Sequence, residues 1–145
     1  MDAQEGQYVM NLYANENLAL FAHRAGISPK TYTENSVLSD FYNILSTSFD
    51  RNNTEYVSLI EAKNYPIYGS QFHPEKNIFE WHASAAFPHS QEAVQVTTYL
   101  AQFFMHEARK NFNTFGSEEE LKPYLIYNWD PYFVDGYFTA IYAFN

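Results

Sequence analysis

Two hydrophobic periods run along this chain, and the change from one to the other marks out its elements. Over residues 90–111, Ala93, Val96, Thr97, Leu100, Phe103, Phe104 and Ala108 recur at three- and four-residue spacing, which predicts a helix with one apolar face. Ser90 suits its N-cap, Glu92 complements the positive end of the helix dipole, and Arg109 and Lys110 suit the C-terminal end. Upstream, Glu55–Ala62 is rich in β-formers and predicts a strand. Residues 66–73 predict a second strand, halted by Pro74, which has no N–H to give a ladder. Asp50-Arg51-Asn52-Asn53 is a turn cluster, and Lys63-Asn64 a second turn. Residues 38–48 begin helix-like and end strand-like. Asn15-Glu16-Asn17 followed by residues 18–22 predicts the opening of a short helix, stopped by Gly26, Ser28 and Pro29. Residues 76–89 read as a loop anchored by Phe79, Trp81 and Phe87, and residues 124–127 and 137–142 read as strands. Two strands followed by a long helix point to an α/β or α+β domain.

Composition narrows the functional classes. At 145 residues, 46% of them hydrophobic, the chain can bury one core but not two, and neither repeats nor low-complexity tracts divide it. A net charge of −9 leaves no basic footprint for nucleic acid, and anionic membranes are poor partners too. The 13 Tyr and 13 Phe bring apolar area, read first as packing and second as a stacking surface for sugars or bases. The absence of cysteine removes disulfides, thiolate metal sites and any cysteine nucleophile supplied by these residues. No apolar run is long enough to cross a membrane as a helix. The polar, acidic start at Met1-Asp2-Ala3-Gln4-Glu5-Gly6 lacks the features of a signal peptide.

One pair of residues carries candidate chemistry. In extended backbone, His73 and Glu75 point to the same side, with Pro74 between them ending strand pairing. An imidazole oriented by a carboxylate is the base half of a nucleophilic triad. In α/β sheets, ligands bind outside the carboxyl ends of strands, which is where this pair is expected. The competing reading is a surface histidine beside a turn proline. His82 and His89 read as structural or solvent-facing, and His106 as exposed on the long helix. No spacing resembles a zinc site. Asn52-Asn53-Thr54 is an N-glycosylation triplet on a turn, of a kind that also arises by chance.

The flanks of His73 add context. Tyr65-Pro66-Ile67-Tyr68-Gly69-Ser70-Gln71-Phe72-His73-Pro74-Glu75-Lys76 resembles the last motif of class I glutamine-amidotransferase-like enzymes. Lys76 with Phe79-Glu80-Trp81, Pro88-His89-Ser90, Ala93-Val94 and Glu107-Ala108-Arg109-Lys110-Asn111 narrows the likeness to the gamma-glutamyl hydrolase family. It runs over roughly residues 18–127 and is strongest over 65–111. The resemblance implies a Cys-His-Glu hydrolase that removes gamma-linked glutamates from folylpoly-gamma-glutamates without metal or cofactor. It implies His73 as general base, Glu75 as its orienting acid and, more loosely, His23 as a substrate-side histidine; an ordinary loop histidine is the alternative for His23. It also implies an α/β fold, the class I glutamine amidotransferase-like (flavodoxin-like) three-layer sandwich, of which residues 1–145 would be the C-terminal portion with an incomplete sheet.

The sequence departs from the family beside His23, at Arg24-Ala25-Gly26, and above all in that nothing upstream of His73 matches the Gly-x-Cys-x-Gly elbow that carries the nucleophile. Residues 1–145 are therefore expected to be inactive alone, marginally stable, and part of a longer enzyme. That parent is expected in the lysosome or vacuole or outside the cell, as a homodimer in one reading. Two other readings stay open: a fragment of a glutamine amidotransferase domain, and a non-catalytic module that pairs with an intact paralogue.

Overall fold

A computed structural model describes residues 3–82, 86–135 and 140–144. The chain forms two compact units, one of Ala19–Pro74 and one of Met1–Leu18 with Glu75–Asn145.

The first unit is built on a three-stranded antiparallel sheet of β1 (Tyr42–Phe49), β2 (Glu55–Ala62) and β3 (Tyr68–Ser70). The β2 bounds are those its β-formers predict. β1 pairs with β2 from Tyr42↔Ala62 to Phe49↔Glu55, with register shifts on either side of Ser46. There the Ser46 and Ser58 hydroxyls meet at 2.8 Å, so the buried Ser58 is not left without a partner. Two short helices, the second and third in chain order, α2 (Pro29–Glu34) and α3 (Ser36–Phe41), precede β1. Ser28 and Asn35 cap them by accepting from Thr31 and Leu38 backbone N–H groups.

The hairpin tip is closed by a single carboxylate. Asp50 Oδ1 accepts from the backbone N–H groups of Asn52 and Thr54, both at 2.8 Å. Asn53 takes a φ of 61°, which asparagine tolerates better than most residues. The Thr54 N–H foremost, with the Asn52 N–H and Thr54 hydroxyl, holds the Asp50 carboxyl below its usual pKa against a smaller opposing effect of desolvation. A depressed folded-state pKa stabilises above the unfolded value and is lost as pH falls through the folded one. Hairpin stability should therefore fall with acidification below the ordinary carboxylate range. Asp50→Asn should flatten that dependence, as read by amide exchange at Tyr56 and Val57.

Only Tyr68–Ser70 of the strand predicted over 66–73 joins the ladder. The Ser70 hydroxyl donates to the Phe72 carbonyl at 3.0 Å, a local bond that turns the chain out of the sheet. The strands are antiparallel, so the rule for carboxyl ends of parallel strands does not apply to them.

In the second unit, the long helix, α5 by chain order (Gln91–Ala108), starts where the sequence places it, with Ser90 Oγ accepting from Ala93 N–H at 3.1 Å. Its Ala93 and Val96 are fully buried against Val9, Leu12 and Leu18, with Tyr13 and Tyr99 alongside. Burial pushes the Tyr13 hydroxyl pKa up to about 12. The apolar spacing continues to Ala108, but burial fades: Phe104 is 64% exposed. Val9 and Leu12 lie on an N-terminal helix, Ala3–Asn15, which the sequence reading misses. Gly6 weakens the helical signal there, yet a Cβ at Gly6 would come within 2.8 Å of the Tyr99 hydroxyl.

Two other expectations are corrected in this unit, and a third is met over the residues described. Residues 76–79 are a short helix, Lys76–Phe79, and of the three aromatic anchors only Phe87 is buried, while Phe79 and Trp81 lie open. Residues 124–127 fall in two 3-10 turns, Lys122–Tyr124 and Ile126–Asn128, rather than a strand. Pro123 presets the first turn, and Asn128 Nδ2 donates to the Lys122 carbonyl at 2.6 Å. Of the strand expected over 137–142, Ala140–Ile141 pairs with Tyr132–Phe133, and residues 137–139 lie outside the described residues. Small antiparallel sheets with helices make this a mixed α/β structure.

Candidate active site

His73 is held by strand-like pairing with a segment expected to be helical. Its N–H donates to the Leu20 carbonyl at 2.9 Å, and the two residues form an isolated antiparallel bridge. This pairing sets residues 20–23 beside 72–73, and aromatic contacts fasten them. Phe21 packs edge-on against Phe72 at 5.8 Å and Tyr56 at 5.7 Å between ring centroids. The His23 ring meets Tyr56 at 5.1 Å and Phe21 at 5.9 Å. Such pairs favour edge-to-face geometry because positive ring edges meet negative faces. His23 and His73 thus belong to one unit, on chain segments joined by the Leu20 bridge.

The tautomer of His23 follows from its partner. Its Nδ1 lies 2.9 Å from the Ala25 carbonyl oxygen, which can only accept, so Nδ1 carries hydrogen. In the neutral ring Nε2 is then an acceptor. Gly26 lets this turn lie close on Tyr56, since a Cβ there would be 2.9 Å from Tyr56 Cβ. Backbone-anchored atoms cannot give way cheaply. Gly26→Ala should lower stability by about 1–3 kcal/mol, in the range of overpacked cores, and shift the His23 ring resonances in NMR spectra.

Glu75 is positioned by contacts of the other unit. Its backbone is αR, with φ −73° and ψ −23°, and it occupies the N-cap position of the Lys76–Phe79 helix. Glu75 rides on a turn with buried supports. Asn77, 1% exposed, donates from Nδ2 to the Leu18 carbonyl at 2.7 Å and to that of Ala93 at 3.4 Å. The Asn77 carbonyl accepts from His89 Nδ1–H at 2.8 Å, and the His89 ring stacks on Trp81 with centroids 3.7 Å apart. Lys76, also buried, reaches Glu80 Oε1 at 3.1 Å. These bonds fix the helix whose first turn carries Glu75.

Sequence reasoning missed Leu20 and Asn77. Nothing in the pattern of residues 18–22 distinguishes a bridge partner from a helix opening. Asn77 is polar in a stretch read as loop, and its burial depends on Leu18 and Ala93, remote in sequence. His89 is structural, as the aromatic setting suggests, and His106 is exposed on α5. A cavity of about 180 Å³ lined by Ile27, Tyr32, Val57 and residues of β2 and β3 includes neither His23 nor His73 in its walls. Among the described residues, no group of three or more His, Asp or Glu is placed to hold a metal ion. No helix of the described residues is long and apolar enough to cross a membrane.

Comparison with known proteins gives a consistent result. The chain is 40% identical over 139 residues to gamma-glutamyl hydrolase B of Dictyostelium discoideum, covering 94% of this chain and 40% of that protein. It is 47% identical over 114 residues to gamma-glutamyl hydrolase 1 of Arabidopsis thaliana, covering 79% and 32%. It is 40% identical over 139 residues to gamma-glutamyl hydrolase of Rattus norvegicus, covering 94% and 44%. The chain therefore spans less than half the length of these relatives. No family model matches it.

Proposed function

Because the chain belongs to the gamma-glutamyl hydrolase family over the part it spans, we propose that residues 1–145 are the C-terminal portion of a cysteine hydrolase that cleaves gamma-glutamyl bonds. Folylpoly-gamma-glutamates are the substrate class. The observation that carries this reading is 40–47% identity to relatives bearing that name, in a chain with a His-Pro-Glu triplet. The fold is that of class I glutamine amidotransferase-like domains. Large apolar side chains left open, such as Phe112 and Tyr127 at 89% exposure each, support a larger domain around these residues.

The chemistry requires a thiol from outside residues 1–145, which hold no cysteine. His73 takes the thiol proton, and the thiolate attacks the gamma-carbonyl carbon. His73 then returns the proton to the leaving glutamate nitrogen as the carbon–nitrogen bond breaks. Water, giving its proton to His73, attacks the thioester carbon; the carbon–sulfur bond breaks, and the leaving thiolate takes that proton back. Glu75 orients the imidazole and stabilises its charged form. His23 Nε2 is the substrate-side group.

A chimaera tests this. Residues 1–145 replace the matched span of the Dictyostelium relative, which contributes the remaining chain. Release of glutamate from a gamma-glutamyl peptide is expected, with none from residues 1–145 alone. Turnover by residues 1–145 alone would overturn the triad assignment. A second reading, a non-catalytic module that pairs with an intact paralogue, is favoured by the absence of a nucleophile. Co-purification with a cysteine-bearing paralogue would support it.

A further inference from the structure

We propose that Asn52 is an acceptor for an N-linked glycan whose first sugar covers the ring of Phe49. This goes beyond the hydrolase reading and does not depend on it. Asn52-Asn53-Thr54 is the one Asn-X-Ser/Thr triplet in the sequence, with no proline at its middle position. The structure puts it at the solvent-exposed tip of the β1–β2 hairpin. The turn itself is closed by backbone groups: Asp50 N–H donates to the Thr54 carbonyl, Asn53 N–H to the Asp50 carbonyl, and Asp50 Oδ1 takes the Asn52 and Thr54 N–H groups. The Asn52 carboxamide makes no hydrogen bond among the described residues, so the turn does not need it.

Phe49 supplies an independent observation. It ends β1 just before the tip and is 61% exposed. A pyranose has one face of C–H groups that packs on an aromatic ring as other apolar groups do. Phe49, Asn52 and Thr54 stand three and two residues apart around one tight turn.

In the transfer step, Asn52 Nδ2 attacks the anomeric carbon of a lipid-diphosphate-linked oligosaccharide. A carbon–nitrogen bond forms, and the carbon–oxygen bond to the diphosphate breaks with its electron pair leaving on the diphosphate. A proton passes from Nδ2 to solvent.

Trypsin cleavage after Arg51 and Lys63 isolates residues 52–63 of the natural protein. Mass spectrometry is expected to find that peptide carrying hexose and N-acetylhexosamine. Peptide-N-glycosidase should convert residue 52 to aspartate. Asn52→Gln and Thr54→Ala should abolish the modification, whereas Thr54→Ser should keep it. Recovery of residues 52–63 only in unmodified form overturns the assignment. For the packing, Phe49→Ser should lower the melting temperature more in the glycosylated protein than in the Asn52→Gln background. Equal shifts in the two backgrounds would show that the sugar does not rest on Phe49.

Discussion

His73→Ala in the active chimaera should lower kcat/KM for a gamma-glutamyl peptide by about 10³- to 10⁴-fold, as expected for loss of a residue acting as both general base and general acid. On the proposed mechanism the loss should fall on kcat, because there the imidazole moves protons in the reacting steps rather than holding the substrate. A variant with raised KM and unchanged kcat would make His73 a binding residue and remove it from the triad. Glu75→Gln should leave more activity, since amide and carboxylate differ in charge but not in shape. Its signature is a fall in kcat with little change in KM, since the amide can still hold the ring but no longer supports the charge it carries in the reacting steps. An unchanged kcat would mean that Glu75 does not orient the imidazole. Leu20 and Asn77 enter here as supports, since each pins the backbone beside one of the two residues.

Val96→Asp is expected to unfold the unit that contains α5 at neutral pH. Val96 has 0% exposure and packs with Ala93 against Val9, Leu12 and Leu18. An isolated carboxylate in such a site costs several kcal/mol, comparable with the roughly 5–15 kcal/mol that holds a whole domain together. The cost should depend on pH with a definite sign. Burial raises the folded-state pKa of the new carboxyl, so the deficit is full at neutral pH and shrinks as acidification neutralises the group. Val96→Ala supplies the comparison: a cavity costing about 1–3 kcal/mol and no such pH dependence. Urea midpoints and amide exchange along α5 measure both. A Val96→Asp protein with the parent midpoint at pH 7 would mean that α5 does not bury this face.

Much of the local structure was legible because it rests on neighbours in sequence. Ser90 caps α5, and Glu55–Ala62 forms a strand on the strength of its own side chains. Asp50 closes its turn through bonds to residues two and four places ahead. The family was legible too, from the residues around His73, Trp81 and Arg109, and the similarity to curated relatives agrees.

What failed had its cause outside the local window. The helix Ala3–Asn15 was missed because Gly6 dilutes its signal, while its stability comes from Val9 and Leu12 docking on α5. Residues 18–22 were read as helix because the apolar run there does not reveal its period. Pairing of Leu20 with His73, fifty-odd residues on, decides the matter. The short helix that Glu75 leads into was read as loop, because it is fixed through Asn77, whose partner Leu18 is remote in sequence. The sequence by itself determined the candidate residues His73, Glu75 and His23, the main strand and helix, and the kin of the chain, because side-chain chemistry and short-range periodicity are local. Only the tertiary structure decided what holds His73, His23 and Glu75, because those supports are hydrogen bonds and ring contacts between segments far apart in the chain.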